Sequence, residues 1–179
     1  MRIIAGKYKR TPIKTLDGDD ITRPTKDMVK EALFSSIQIY EDTSFLDLFS
    51  GSGSIGLEAI SRGSNDVIFN DSNIKAYRII KENLEHLDLK NDVYNLDYAD
   101  LLNRINKSFD YIYCDPPYRF NNYEDLFYLV SKNKLLNKKG IMILEVNKDT
   151  ILNQEYLNIR LFKEKKYGIC KLLYYKNGD

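Results

Sequence analysis

The stretch richest in chemical possibility is Asp115-Pro116-Pro117-Tyr118, which follows an apolar run, Phe109–Cys114. Two prolines lock the backbone there and hold a carboxylate and a carbonyl in place, so that two acceptors can converge on one exocyclic amino group. An aryl amine needs such help because its lone pair is delocalised into the ring. Acceptors on its hydrogens turn the nitrogen toward tetrahedral geometry and stabilise the positive charge that grows as it attacks a methyl carbon. Asp115 and Pro116 are therefore candidate catalytic residues. Tyr118 adds a flat face for a base drawn out of its stack. The competing reading is a rigid turn after a strand.

A second constellation lies upstream. Gly51-x-Gly53-x-x-Gly56 follows the apolar run Phe45–Phe49 and precedes a helical pattern, which fits the nucleotide-binding fingerprint and equally a tight strand-to-helix turn. Asp47, four residues before Gly51, sharpens the choice. A hydride-transfer cofactor has no particular use for a carboxylate inside that strand, whereas a sulfonium cofactor with an amino-acid tail offers an ammonium for it to bind. Asp71, twenty-four residues beyond Asp47, ends a second apolar run, where an acidic residue accepts from both hydroxyls of a ribose or else caps the next helix. Asp97 follows a third run. It either accepts from an adenine amino group, with the Tyr98 N–H close by, or caps a helix.

These residues need a scaffold that brings strand ends together. Expected strands are Phe45–Phe49, Val67–Asp71, Val93–Leu96, Phe109–Cys114 and Ile141–Val146, alternating with helices over 55–60, 74–87, 98–105 and 123–132. Apolar strands separated by helices predict a parallel sheet covered on both faces. The final segment predicts a hairpin, with strands at Asn158–Phe162 and Ile169–Tyr175 and a basic, solvated tip over 163–167. At the other end, Arg2-Ile3-Ile4, Gly6 and Thr11–Lys14 suggest a short hairpin. A turn at Asp17–Asp20 follows, then a helix over 26–40 with Thr25 as its N-cap. The whole is a seven-stranded α/β Rossmann-like domain with a small N-terminal extension of hairpin plus helix, divided as 1–24 and 25–179.

Composition agrees with one soluble domain: 179 residues, 43% hydrophobic and 30% charged, with no apolar run long enough to span a bilayer and no signal-peptide pattern, so a cytoplasmic location is expected. The net charge of +1 is unevenly spread. Residues 1–30 carry eight Lys/Arg against four Asp/Glu, residues 160–179 six against two, and residues 31–159 thirteen against twenty. Arg2, Lys7, Lys9, Arg10 and Lys14 precede the first acidic residue and could contact phosphates, or form a solvated arm. Cys114 and Cys170 fit neither a disulfide framework nor a zinc site, so both are expected to be buried and no metal is expected. His86, near a helix end, reads as a favourable terminal charge.

In sequence, FLDLFSGSGSIGLEA, Asp71, Asp97 and DPPY resemble a class I S-adenosylmethionine-dependent methyltransferase. TRPT-x₃-VKEALF and the N-terminal MRIIAGKYKR are similar to the bacterial 16S ribosomal-RNA guanine-N2 methyltransferase (RsmD) family, across nearly the whole chain. That resemblance implies S-adenosylmethionine as cofactor, bound by Asp47, Gly51, Gly53, Asp71 and Asp97, and a target guanine at Asp115 and Tyr118. It also implies 16S rRNA, within the small subunit or an assembly intermediate, as the partner of a monomer, with Arg23 at the RNA or in active-site closure. Asn70-Asp71 departs from the glutamate often found there. Three other functions stay open: adenine-N6 methylation of DNA or RNA, a nicotinamide-dependent dehydrogenase, and a non-catalytic ribosome-assembly factor.

Overall fold

The computed structural model describes residues 1–16 and 23–178, with residues 23–26 by their backbone alone. The turn expected at Asp17–Asp20 and the side chain of Arg23 lie outside the described residues.

Among the described residues, five helices and eight strands follow in the order α1 (Arg23–Phe34), β1 (Ser44–Asp47), α2 (Ser54–Ser61), β2 (Asp66–Asn70), α3 (Ile74–His86), β3 (Val93–Tyr94), α4 (Tyr98–Arg104), β4 (Phe109–Cys114), α5 (Tyr123–Lys132), β5 (Leu136–Asn147), β6 (Glu155–Tyr156), β7 (Ile159–Tyr167) and β8 (Cys170–Asn177). All strands join one sheet in the order β3-β2-β1-β4-β5-β8-β7-β6. The first five run parallel, and β8, β7 and β6 add antiparallel at one edge. Alternate residues of each strand enter two cores. Phe45, Phe69 and Tyr113 face α1, α2 and α3, while Leu46, Ile68 and Ile112 face α4 and α5. Chain order reverses between β1 and β4, and the loops after those two strands open at the sheet's C-terminal edge, where open α/β sheets hold ligands.

Four expectations are corrected. The sheet has eight strands, because the two-residue β6 is too short for an alternating pattern to reveal. The basic run Lys163–Lys166 is strand rather than hairpin tip: it pairs with Lys171–Tyr174, and the turn is left to Gly168-Ile169. The first helix spans Arg23–Phe34 instead of 26–40, so Thr25 lies inside its first turn and does not cap it. Ser36 Oγ bonds the Leu33 carbonyl at 2.7 Å just past the helix end, and Ile37, apolar at helical spacing, is buried in the irregular chain that follows. The N-terminal hairpin, read as an extension to the α/β domain or a solvated arm, packs two of its side chains into the core.

That hairpin is a single Arg2↔Pro12 bridge. Ile3 and Ile13 enter the core beside Val29 and Leu33 of α1. Its tip docks on α2, where the Ile4 and Ala5 N–H groups donate to the buried Glu58 carboxylate at 2.8 and 3.0 Å and the Lys7 N–H donates to the Ser61 carbonyl at 2.7 Å. Gly6 makes this approach possible. Its φ is +81°, and a Cβ there would lie 1.7 Å from the Ser61 oxygen. Gly6→Ala is therefore expected to lower stability by at least about 2 kcal/mol in urea unfolding and to strip hydrogen-exchange protection from the Lys7 amide. Unchanged stability would mean that the tip does not need this close approach.

Candidate active site

A cavity of about 480 Å³ opens at the reversal point, lined by Lys30, Asp47, Phe49, Gly51 and Asp71 among others, within the size range of small-molecule sites. Asp47 closes β1 and is only 1% exposed. Its Oδ2 accepts from the Gly56 N–H at 2.9 Å, while Oδ1 has no hydrogen-bond partner among the described residues. Burial, reinforced by the nearby Asp71 charge against the Gly56 bond, pushes its carboxyl up to about 7. A buried carboxylate oxygen left unsatisfied is costly unless something else donates to it, and an ammonium does so with charge as well. The site thus fits a ligand carrying an amino group.

The glycine loop works through its backbone. The Gly51 N–H donates to Asp71 Oδ2 at 2.8 Å, which ties the ends of β1 and β2 together. Gly53 caps α2 in the left-handed conformation without lining the cavity, and a Cβ on Gly56 would meet the Phe69 ring at 2.2 Å. Asp71 is not the cap of α3. That role belongs to Asn73, whose side chain accepts from the Lys75 N–H, and Asp71 stays on the cavity wall. Asp97 and Tyr98 are not brought to the cavity. Asp97 caps α4 through the Ala99 N–H at 2.9 Å, and the Tyr98 hydroxyl donates to Asp125 at 2.8 Å.

Beyond the cavity lies a second recess of about 500 Å³, lined in part by Pro116, Tyr118, Tyr123 and Cys170. Asp115, Pro117 and Glu145 belong to the walls of both spaces. Pro116 is buried, while Tyr118 is 90% exposed, so its ring is open to a partner. Phe49, Tyr98, Phe120 and Tyr123 form an aromatic cluster beside the motif, in which Phe120 meets the other three rings edge-to-face. Cys114 is buried as expected; Cys170 is only half-buried, a departure that follows from its place beside the β7–β8 turn.

Residues 1–176 match the protein family described as Conserved hypothetical protein 95. YlbH of Bacillus subtilis is 35% identical over 182 residues, covering 98% of both chains. Ribosomal RNA small subunit methyltransferase D of Haemophilus influenzae is 34% identical over 184 residues, covering 99% of this chain and 94% of that one. The crystal structure of HI0767 from Haemophilus influenzae matches with a TM-score of 0.80 and 33% identity, over 99% of this chain and 98% of that one. The chain belongs to the RsmD family. Its sheet is accordingly that of a class I methyltransferase, with a two-residue eighth strand added at the edge.

Two residues that line these spaces escaped the sequence reading. Glu145, near the end of β5, accepts a hydrogen bond from the Tyr113 hydroxyl and lines both spaces. Lys30, on α1, is buried and lines the cavity. Both lie far in sequence from the motifs, within ordinary amphipathic patterns; a cation at a helix position otherwise apolar was the only signal for Lys30.

The raised Asp47 value has a thermodynamic consequence. The folded state prefers the protonated carboxyl, so the associated stability is present below about pH 4 and is lost as pH rises through about 7. Asp47→Asn does not titrate. In urea unfolding of the ligand-free protein, its stability relative to wild type is expected to improve by up to about 4 kcal/mol between pH 4 and pH 8. A pH-independent difference would contradict the burial of an unsatisfied carboxyl.

Proposed function

We propose that this protein methylates the exocyclic N2 of a guanine in 16S ribosomal RNA, within the small subunit or an assembly intermediate, with S-adenosylmethionine as methyl donor. The observation that carries the reading is the shared wall: a cavity suited to a nucleoside with an amino-acid tail abuts a recess bordered by an open tyrosine, and Asp115, Pro117 and Glu145 bound both. A monomer acting in the cytoplasm, without a metal, is sufficient for this chemistry.

When bound, the cofactor supplies an electrophilic methyl on a sulfonium. Asp47 receives the ammonium of its tail, and Asp71 accepts from the ribose hydroxyls with lone pairs not used by Gly51 and Asn73. Phe49 lines the pocket as apolar surface. On the recess side, Tyr118 stacks on the flipped guanine, and Asp115 with the proline-fixed carbonyl accepts from the N2 hydrogens, directing the nitrogen lone pair along the line to the methyl carbon. The enzyme's main contribution is this positioning, worth up to about 7–11 kcal/mol in well-oriented systems.

Asp115→Ala is expected to leave cofactor affinity near wild type while methyl transfer falls at least about a hundredfold, the scale of one preorganised charge-stabilising group. Tyr118→Ala falls less, by a stacking contribution of about 1–3 kcal/mol, and Tyr118→Phe restores most activity. Label transfer to small subunits from cells lacking the protein, followed by nucleoside mass spectrometry, reads both variants. N6-methyladenosine as the product would replace the guanine reading with its adenine rival, and no transfer at all would favour a non-catalytic assembly role.

RNA contact falls to the N-terminal hairpin. Arg2, Lys7, Lys9 and Arg10 are exposed, whereas Lys14 is paired with Glu82 at 2.7 Å. Deleting the hairpin would also remove Ile3 and Ile13 from the core, so neutral substitutions at the four exposed cations make the cleaner experiment. Every cation that neutralises a phosphate adds roughly 0.7–0.9 to the log–log salt slope of RNA binding, so each substitution is expected to lower the slope by that amount, with cofactor affinity unchanged. An unaltered slope would show that these cations face solvent in the complex.

A further inference from the structure

Lys30 reaches the cofactor cavity from α1 and is 2% exposed. Its Nζ donates to the Arg2 carbonyl at 2.8 Å and to Ser54 Oγ at 3.0 Å, which accounts for two of the three ammonium protons. Glu58 is a poor third partner. Its Oε2 is 3.8 Å from Nζ, and both its oxygens already accept from the Ile4 and Ala5 N–H groups and from Arg62 Nε. Burial lowers the Lys30 pKa despite the nearby Glu58 and Asp27 charges, so the protein alone under-compensates this cation. The same cavity contains the opposite deficit, the Asp47 oxygen that no group among the described residues satisfies.

A buried cation and a buried, half-satisfied carboxylate on the walls of one cavity are complementary to an amino-acid zwitterion. We infer that Lys30, together with Ser54, holds the α-carboxylate of the cofactor's methionine tail while Asp47 holds its ammonium, an assignment that rests on the cofactor reading above. Ser54 fits the role because its oxygen accepts from Lys30, which leaves its own proton to donate. It is also the first residue of α2, where unpaired N–H groups and the helix dipole favour negative charge. The rival role for Lys30 is purely structural, a tie from α1 to the Arg2 carbonyl of the hairpin.

Calorimetry with two ligands separates these roles: S-adenosylhomocysteine, and 5′-methylthioadenosine, which keeps the adenosine and thioether and lacks the amino-acid tail. In Lys30→Met, affinity for S-adenosylhomocysteine is expected to fall at least about tenfold, the effect of a charged hydrogen bond, while methylthioadenosine changes less than about twofold. Ser54→Ala, a milder change that decides the matter should Lys30→Met not fold, is expected to lose about three- to tenfold for S-adenosylhomocysteine alone. Equal losses for both ligands make Lys30 and Ser54 structural and overturn the inference. Unchanged affinity for S-adenosylhomocysteine overturns it as well. Wild-type protein that binds neither ligand contradicts the cofactor reading itself, a distinct failure.

Discussion

A carboxylate that is almost fully buried with one oxygen unpaired is an expensive thing to place at the end of a central strand, and the active site is organised around Asp47. The Gly56 N–H supplies one bond, and Gly56 can approach closely because its missing side chain leaves room for the Phe69 ring. The parallel pairing of β1 between β2 and β4 puts the end of that strand at the reversal point, beside the loop that ends β4. Stability is thereby given up in the ligand-free state, and on the proposed function it is recovered when an ammonium arrives. Such a cost is expected where a site is preorganised for charge.

The same logic extends outward through α2. Its first residue, Ser54, faces the cavity, and its buried Glu58 holds the N-terminal hairpin by two N–H groups. Lys30 touches both ends of this arrangement, donating to Ser54 and to the Arg2 carbonyl. A basic hairpin that carries the candidate RNA-contacting residues is thus fastened to the helix that borders the cavity. The docked hairpin leaves Arg2, Lys7, Lys9 and Arg10 at the surface while Ile3 and Ile13 secure it from below.

Much of this was legible in the sequence because the information is local. The glycine spacing, the carboxylate before it and the Asp-Pro-Pro-Tyr turn each encode a strand end and its loop within a few residues, and the family resemblance bound them into one fold. Asp97 shows where locality runs out. An acidic residue after a strand serves a ligand or a helix equally well, and here its oxygen goes to the Ala99 N–H. Glu145 carried no local signal and Lys30 only a faint one, a cation at an otherwise apolar helix position, since their significance comes from what the fold sets beside them. The hairpin was misjudged because five cations in fourteen residues outweighed two isoleucines, although the isoleucines decide where the segment packs.

The central claim is that Asp47 is poised to receive a cationic group, and the carboxyl itself can report it. Proton titration of Asp47, followed by the ¹³C shift of its labelled side-chain carboxyl and assigned with Asp47→Asn, should give an apparent pKa of about 7 in the ligand-free protein. With S-adenosylhomocysteine bound, the value should fall below about 5, because a bound ammonium favours the ionised form. A carboxyl that titrates near 4 without ligand, or that does not move when the ligand binds, would contradict the account.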